Sequence, residues 1–161
     1  MLDSKERIKL ENVKKLIRRN AKVPLEKLLL KLHPADLALI ITNLSDIDRK
    51  KIWSFIEDRS KIAKIILEMQ DIDIINIMEE LSSQDAAALL SEMDSDDASY
   101  ILRIIPKERQ QDLLQYISHD ELLDVEELLH YPEDSAGSIM NTASFALHMD
   151  TTVKEATKLL H

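Results

Sequence analysis

The chain contains no cysteine, one glycine and few aromatic side chains. Without cysteine it cannot form disulfides or thiolate metal sites, and it suits a reducing compartment. With Gly137 as the only glycine, it has no glycine-rich loop of the kind that holds phosphate groups. No run of about 18 apolar residues is present, and the N-terminal residues lack the apolar segment of a signal peptide. We therefore expect a soluble stretch of 161 residues without a membrane span.

Charge is distributed unevenly along the chain. Residues 1–32 carry ten Lys/Arg and four Asp/Glu, a balance of +6, so the remainder of a chain of net charge −9 carries −15. Ten acidic residues and no basic one lie between Lys64 and Arg103, and no Lys or Arg lies between Arg109 and Lys154. Acidic surfaces repel phosphate and attract cations or basic proteins, so nucleic acid is not an expected partner.

Two interpretations of this charge pattern stay open. The carboxylates could simply solvate the outer faces of helices, which is the usual role of a charge run. Alternatively, they could form a surface for cations or a basic partner. The basic N-terminal segment suits anionic lipid or carboxylates of the same protein.

Apolar residues recur at i, i+3, i+4 and i+7 in ten units that restart about every twelve residues from Val13 to Leu129. The pattern fits 36 of 40 positions, whereas a composition of 45% apolar residues would fill about 18 by chance. It breaks at Asn20, Arg49, Gln110 and Glu126, and it slips by one residue after Ile56. This spacing places one apolar stripe along each short helix, and a fixed short period is typical of a stacked array.

Capping residues indicate the same boundaries independently. Helix starts are predicted at six positions 11 to 13 residues apart: Asp58, Asp71, Ser82, Asp94, Pro106 and Ser118. Helices of nine or ten residues with short connections stack side by side, so we predict an all-α chain, an α-solenoid of about ten short helices. A globular helical bundle is the structural alternative because it shares the periodicity.

The twelve-residue spacing of apolar residues ends after Leu129. Residues 144–148 read as a short strand followed by a turn at 149–150, and Thr152 with Glu155 predicts the start of a last helix through Leu160. A strand and a helix of this length cannot bury their own apolar surface. We therefore expect residues 143–161 to be the beginning of a further domain.

No catalytic constellation is evident. The five histidines are not paired at helical spacing with other metal ligands, and no strained turn presents a serine nucleophile. Asp94 begins an acidic run like a calcium loop, but the sixth and twelfth positions are Ser99 and Ile105 rather than glycine and glutamate. We expect no enzyme. A looser Mg²⁺ site at these carboxylates remains open. The alternative is that Asp94 caps a helix, which leaves Asp96 facing outward, and that Asp96 and Asp97 complement the dipole of that helix.

Three segments carry a resemblance to a known family. They are His33-Pro34-Ala35-Asp36-Leu37-Ala38, the acidic helix start Met93-Asp94-Ser95-Asp96-Asp97-Ala98, and Tyr131-Pro132-Glu133-Asp134-Ser135-Ala136-Gly137-Ser138-Ile139-Met140. They resemble the cytosolic N-terminal domain of the MgtE family of magnesium transporters, and residues 141–161 look like the start of the first CBS domain that follows it. The resemblance implies a right-handed superhelical N domain at 1–130, a linker at 131–142 and an incomplete CBS domain at 143–161.

The resemblance also implies a function. In this family acidic residues of the N domain face acidic CBS domains, and Mg²⁺ between them holds the pore closed, so the chain is expected to be a cytoplasmic regulatory module of an inner-membrane transporter. Its implied partners are the CBS domains and the transmembrane pore of the same polypeptide, in a homodimer. Mg²⁺ is the implied regulatory ion, bound weakly by the isolated chain because half of a shared site is absent.

The resemblance carries over to few single residues. Asp96 matches a family position that contacts Mg²⁺, whereas two other acidic positions of the family fall on Lys64 and Tyr100. Other carboxylates are expected to replace them, and the candidates are Glu92, Asp94 and Asp97. Two alternatives of a different kind stay open: an acidic α-solenoid scaffold for a basic protein without metal sensing, and a stand-alone relative without a pore.

Overall fold

The computed structural model describes residues 3–132, 134–141 and 151–159. Within these ranges it contains eleven α-helices, one 3₁₀ turn and no strand. The helices are α1 (Ser4–Arg18), α2 (Lys22–Lys31), α3 (Pro34–Thr42), α4 (Asp46–Trp53), α5 (Arg59–Leu67), α6 (Asp71–Glu80), α7 (Ser83–Leu90), α8 (Ser95–Ile104), α9 (Lys107–Leu114), α10 (His119–His130) and α11 (Val153–Leu159). The prediction of an all-α fold with about ten short helices is confirmed. The strand predicted at residues 144–148 lies outside the described residues.

The helices stack in two rows. Each odd-numbered helix from α1 to α9 contacts the next odd-numbered helix. In the second row, α8 contacts both α6 and α10. Because a unit is about twelve residues long, a residue about 24 positions later occupies the corresponding place in the next layer. The short helices are stabilised by these neighbours, since helices of eight to ten residues are marginal alone.

Most predicted helix starts are confirmed. Asp58, Ser82, Asp94 and Ser118 are the residues that precede α5, α7, α8 and α10, each with an extended backbone. The side chains of Asp58 and Ser82 accept hydrogen bonds from backbone amides three residues later, which satisfies free N–H groups of the first turn.

Two starts differ by one residue from the prediction. Asp71 is the first residue of α6, and Gln70 occupies the capping position without a side-chain capping bond. Pro106 precedes α9 instead of opening its first turn. An acidic residue interacts favourably with the positive end of the helix dipole at the capping position and at the first helical position alike. The sequence pattern alone therefore does not distinguish these two positions.

The core is continuous along the stack. One buried cluster runs from Leu10 in α1 to Ile65 in α5, and a second runs from Ala63 in α5 to Val125 in α10. Trp53 packs against both clusters, and α5 contributes buried side chains to each. The slip in the periodicity after Ile56 coincides with the connection between α4 and α5 at residues 54–58, just before the helix that both clusters share.

The break in the pattern at Asn20 has a local cause. Asn20 has a φ of 51°, the left-handed region that asparagine tolerates better than most residues. Its amide donates to the Ile17 carbonyl oxygen at 3.0 Å, and the Ala21 amide donates to the Leu16 carbonyl oxygen at 3.1 Å. This pair of bonds is a Schellman motif, so Asn20 ends α1 where the pattern would place an apolar residue.

The segment after α10 packs against the stack. A 3₁₀ turn, Ala136–Ile139, contacts α8 and α10. Arg103 of α8 donates through Nη1 to the carbonyl oxygen of Tyr131 at 3.2 Å. A Cβ on Gly137 would lie 2.5 Å from Cδ1 of Tyr131, so the absence of a side chain permits the ring to approach. The predicted linker at 131–142 therefore begins as a docked segment of the helical stack.

Candidate metal centre

Three of the predicted site residues come together at the start of α8. One carboxylate oxygen from each of Asp94, Asp96 and Asp97 can be chosen so that all three lie within 4.8 Å of one another. We call this set the α8 cluster. Among the described residues it is the one group of three or more His, Cys, Asp or Glu side chains so arranged. Glu92, the fourth predicted residue, is exposed in the connection before α8 and is not part of the group.

The expectation that Asp94 caps α8 with its side chain is wrong. Asp94 has the extended backbone of a capping residue, with φ −66° and ψ 153°, and its carbonyl oxygen accepts from the Ala98 amide at 2.9 Å. Its side chain, however, makes no capping hydrogen bond and is exposed. The Asp94 carboxylate therefore remains available to a ligand.

The expectation that Asp96 faces outward is also wrong in part. The residue is half-buried, and its Oδ1 atom is shielded from solvent without a hydrogen-bond donor among the described residues. A buried acceptor without a partner loses its hydration without compensation, which costs about 1–3 kcal/mol. This carboxylate is the least satisfied of the α8 cluster, and a cation would compensate its charge.

Burial raises the pKa of Asp97 above its ordinary value, and the negative charges of Asp96 and Asp94 raise it further. Both causes disfavour the ionised form of Asp97, because burial removes its hydration and the two neighbouring carboxylates repel its charge. Three carboxylates held this close suit a hard cation that binds oxygen ligands. Mg²⁺–oxygen distances of about 2.0–2.1 Å put two ligand oxygens of one ion roughly 3–4 Å apart.

The basic residues nearest in sequence do not neutralise the α8 cluster. Arg103 donates to the carbonyl oxygens of Leu128, in the last turn of α10, and of Tyr131, just after it. Arg109 donates to carbonyl oxygens at the end of α6 and pairs with Asp112 at 3.0 Å. Across the described ranges, no ion pair involves Asp94, Asp96 or Asp97. The geometry is therefore compatible with a cation-binding role of these carboxylates, which stays a prediction.

Two carboxylates that the sequence did not single out lie beside the α8 cluster. Glu121 and Asp124 of α10 line, together with Asp94, a cavity of about 190 Å³ between α8 and α10. Glu121 is held in place because its Oε2 accepts from Ser91 Oγ at 2.9 Å and from Ser118 Oγ at 2.8 Å. The second stretch without Lys or Arg could have pointed to Glu121 and Asp124, but the sequence does not show that α10 packs against α8.

Lys64 and Tyr100, where the resemblance expects acids, lie in other settings. Lys64 of α5 lines a depression together with Lys31 and Lys61. The hydroxyl of Tyr100 donates to Oδ1 of Asp71 at 2.5 Å and so joins α8 to the first residue of α6. Neither residue offers a carboxylate, so the α8 cluster is built without these two positions.

No helix of the described ranges has the length and hydropathy that crossing a bilayer requires. Two solved structures share the fold. One, described as the soluble part of a magnesium transporter, has a TM-score of 0.80 and 22% identity, over 96% of this chain and 61% of that chain. The other, described as the cytosolic domain of the Mg²⁺ channel MgtE in complex with ATP, has a TM-score of 0.82 and 22% identity, over 94% and 62%.

The chain thus spans about three fifths of the length of the solved structures it matches. No curated protein matches it. Residues 32–134, more than half of the chain, match the family model described as the MgtE intracellular N domain. This range includes the α8 cluster and all of α3 to α10. The chain therefore belongs to the family of the MgtE intracellular N domain.

Proposed function

We propose that this chain is the cytoplasmic Mg²⁺-sensing module of an MgtE-type transporter and that it helps to control opening of the pore. The observation that carries the proposal is the α8 cluster, in which three carboxylates lie together without an ion pair. In this proposal residues 143–161 begin a CBS domain whose acidic surface supplies the remaining ligands. The full-length protein is a homodimer in the inner membrane.

The mechanism follows from electrostatics. Two acidic surfaces repel each other unless divalent cations lie between them, so their association depends on ion concentration. When Mg²⁺ is abundant, the N domain and the CBS domain associate and the pore is closed. When Mg²⁺ is scarce, the repulsion separates them and opening is favoured. Asp96 and Asp97 are the central residues, because their charges are the least compensated.

The isolated chain should bind Mg²⁺ weakly. Mg²⁺ retains several waters and takes one or two carboxylates from a protein surface, so the α8 cluster alone offers an incomplete site. The affinity should rise when the CBS domains are present in the same polypeptide, because the second set of ligands is then held at high effective concentration.

The test uses the longer protein that includes the CBS pair. We expect Mg²⁺ at millimolar concentration to protect the segment at residues 130–145 from proteolysis. Asp96→Ala should abolish this protection. Glu108→Ala, which removes an exposed carboxylate of α9 outside the base-free stretches, should leave the protection unchanged. Protection that is absent in the unmodified protein, or equal in the Asp96→Ala variant, would count against metal sensing.

A second function, docking of a basic protein partner, is favoured by one observation. The cavity between α8 and α10 has the size of a single side chain and carries the carboxylates of Asp94, Glu121 and Asp124 on its walls. A lysine or arginine of a partner would fit this cavity and its charge. Asp124→Ala should then weaken binding of the partner in the presence of a chelator. If chelation abolishes every interaction of the acidic surface, the docking function is wrong and metal sensing is retained.

A further inference from the structure

The outward face of α2 combines exposed aliphatic side chains with lysines. Val23 and Leu30 are 58% and 74% exposed, and Lys27 and Lys31 are exposed beside them. Positions i, i+4, i+7 and i+8 share one side of a helix, so these four residues form a single stripe, opposite the buried Leu25. Exposed aliphatic side chains on a lysine-rich face are not needed for the core.

A basic depression continues this stripe onto α5. Lys61 Nζ donates to the carbonyl oxygens of Leu29 at 2.9 Å and Leu30 at 3.3 Å, which joins α5 to the end of α2. The depression has a volume of about 440 Å³. Its lining residues are Lys31, Leu32, His33, Pro34, Asp58, Ser60, Lys61 and Lys64.

The positive charge of this depression is not neutralised internally. Asp58 is its one acidic lining residue, and Oδ1 of Asp58 accepts from the Lys61 amide as the cap of α5. Lys31 and Lys64 form no ion pair with any residue that the structure describes. Two ammonium groups therefore face solvent next to the aliphatic stripe. We call Val23, Lys27, Leu30, Lys31 and Lys64 together the α2 face.

We propose that the α2 face binds the surface of a membrane that contains anionic phospholipid. Lysines beside exposed aliphatic side chains are the combination that binds such a surface, where the aliphatic groups enter the headgroup boundary and the ammonium groups meet phosphate. A lysine ammonium on a flexible stem is a point charge without fixed hydrogen-bond geometry, which suits mobile headgroups. A carboxylate-rich protein surface would explain the lysines but not Leu30 at 74% exposure.

The charge asymmetry of the whole chain favours the same orientation. Residues 1–32 carry +6 and the remainder carries −15. An anionic membrane attracts the basic end and repels the acidic one, so the molecule approaches with α1 and α2 first. This inference is independent of Mg²⁺ sensing, because none of its residues belongs to the α8 cluster.

The experiment is co-sedimentation of the 161-residue chain with vesicles. We expect binding to vesicles of phosphatidylcholine with phosphatidylglycerol, little binding to pure phosphatidylcholine, and loss of binding in high salt. Each lysine at an anionic membrane strengthens partitioning about fivefold, so the double variant Lys31→Gln/Lys64→Gln should lose more than about tenfold. Lys61 is left intact because it holds the end of α2.

Matched controls distinguish a specific effect of the α2 face on vesicle binding from an effect of net charge or of misfolding. Lys50→Gln/Lys107→Gln removes two exposed lysines from α4 and α9 and should lose much less binding. Leu30→Ser should weaken binding, whereas Ile72→Ser, at a residue 60% exposed on α6, should not. Far-UV circular dichroism checks that every variant is folded.

Three outcomes would overturn the proposal. The first is absence of binding to the phosphatidylglycerol vesicles at low ionic strength by the unmodified chain. The second is salt-sensitive self-association that depends on Lys31 and Lys64 without vesicle binding, which would assign the α2 face to the acidic surface of a second copy. Equal loss in the two double-lysine variants also rejects it, since only net charge would then matter.

Discussion

The guanidinium group of Arg109 donates two hydrogen bonds to the carbonyl oxygen of Met78, from Nε at 3.0 Å and from Nη2 at 2.8 Å. Nη2 also donates to the Leu81 carbonyl oxygen at 2.6 Å, and Nη1 donates to Ser83 Oγ and to Asp112 Oδ2. The side chain is 17% exposed. Arg109 of α9 thus caps the carbonyl oxygens at the end of α6 and joins two helices that are distant in the chain.

Replacement of Arg109 should destabilise the fold. Arg109→Met leaves the last carbonyl oxygens of α6 and the carboxylate of Asp112 without their charged donor, so the free energy of unfolding should fall by about 2–4 kcal/mol. Arg59→Met removes an exposed arginine of α5 and should change it by less than about 0.5 kcal/mol. Urea unfolding followed by circular dichroism measures both. Equal effects would show that the contacts of Arg109 add nothing to stability.

These contacts mark the limit of what the sequence predicts about the fold. The spacing of apolar residues identifies the helices because burial of one stripe repeats every helical turn. The carbonyl oxygens that accept from Arg109 lie 28 to 31 residues away, and those that accept from Lys61 lie 31 and 32 residues away. No local pattern specifies such a partner, because it depends on which helix lies next to which in the stack.

Two residues at capping positions should respond differently to truncation. Ser82 Oγ accepts from the Asp85 amide at 3.1 Å, so Ser82→Ala should cost about 1 kcal/mol of unfolding free energy. Asp94 makes no side-chain capping bond, and its charge raises the pKa of Asp97. Asp94→Ala should therefore cost clearly less than Ser82→Ala. Thermal unfolding of both variants in one buffer without divalent ions tests this order, and a larger loss in Asp94→Ala would restore the capping role to Asp94.

The candidate site was predicted in composition but not in detail. The run from Asp94 to Asp97 indicated close carboxylates because adjacent residues at a helix start lie near each other. Glu121 and Asp124 were not predicted because the contact between α10 and α8 arises from the stacking of the helices and not from a local sequence pattern. The burial of one carboxylate oxygen of Asp96 could not be predicted either, because the local sequence does not tell which side of the first turn of α8 is covered.

Gly137 should tolerate no side chain where it approaches Tyr131. A Cβ at this position would lie 2.5 to 2.9 Å from three ring atoms of Tyr131, including Cγ, so the ring cannot avoid it by moving its far end. We expect Gly137→Ala to release the 3₁₀ turn from α8 and α10, with faster amide exchange at residues 134–140. Ala136→Ser, at an exposed neighbour, is the matched control. Addition of Tyr131→Ala to Gly137→Ala should remove the clash, and unchanged exchange in Gly137→Ala alone would refute the steric argument.

The raised pKa of Asp97 makes stability depend on pH in a defined direction. Because the folded state holds this proton more tightly than the unfolded state, the contribution is favourable below the ordinary value of 3.8 and is lost as pH rises through the folded pKa. Asp97→Asn, which remains neutral, should therefore be more stable than the unmodified chain at neutral pH. The difference should vanish below pH 3.8, where Asp97 is protonated in both states. Urea titrations of both proteins across this pH range measure it, and Glu108→Gln serves as the exposed control.

Mg²⁺ should reverse the shift of Asp97. A cation beside the carboxylate stabilises its ionised form, so the pKa of Asp97 should fall when Mg²⁺ is added, and acidification should release the ion. Carboxylate-detected NMR titrations of the chain with and without Mg²⁺ report this pKa directly. In Asp96→Asn the ion should lower it less, because one charge of the α8 cluster is missing, even though the loss of that charge alone already lowers the pKa. If Mg²⁺ lowers this pKa no more than potassium chloride of equal ionic strength does, the α8 cluster is only a group of surface charges screened by salt.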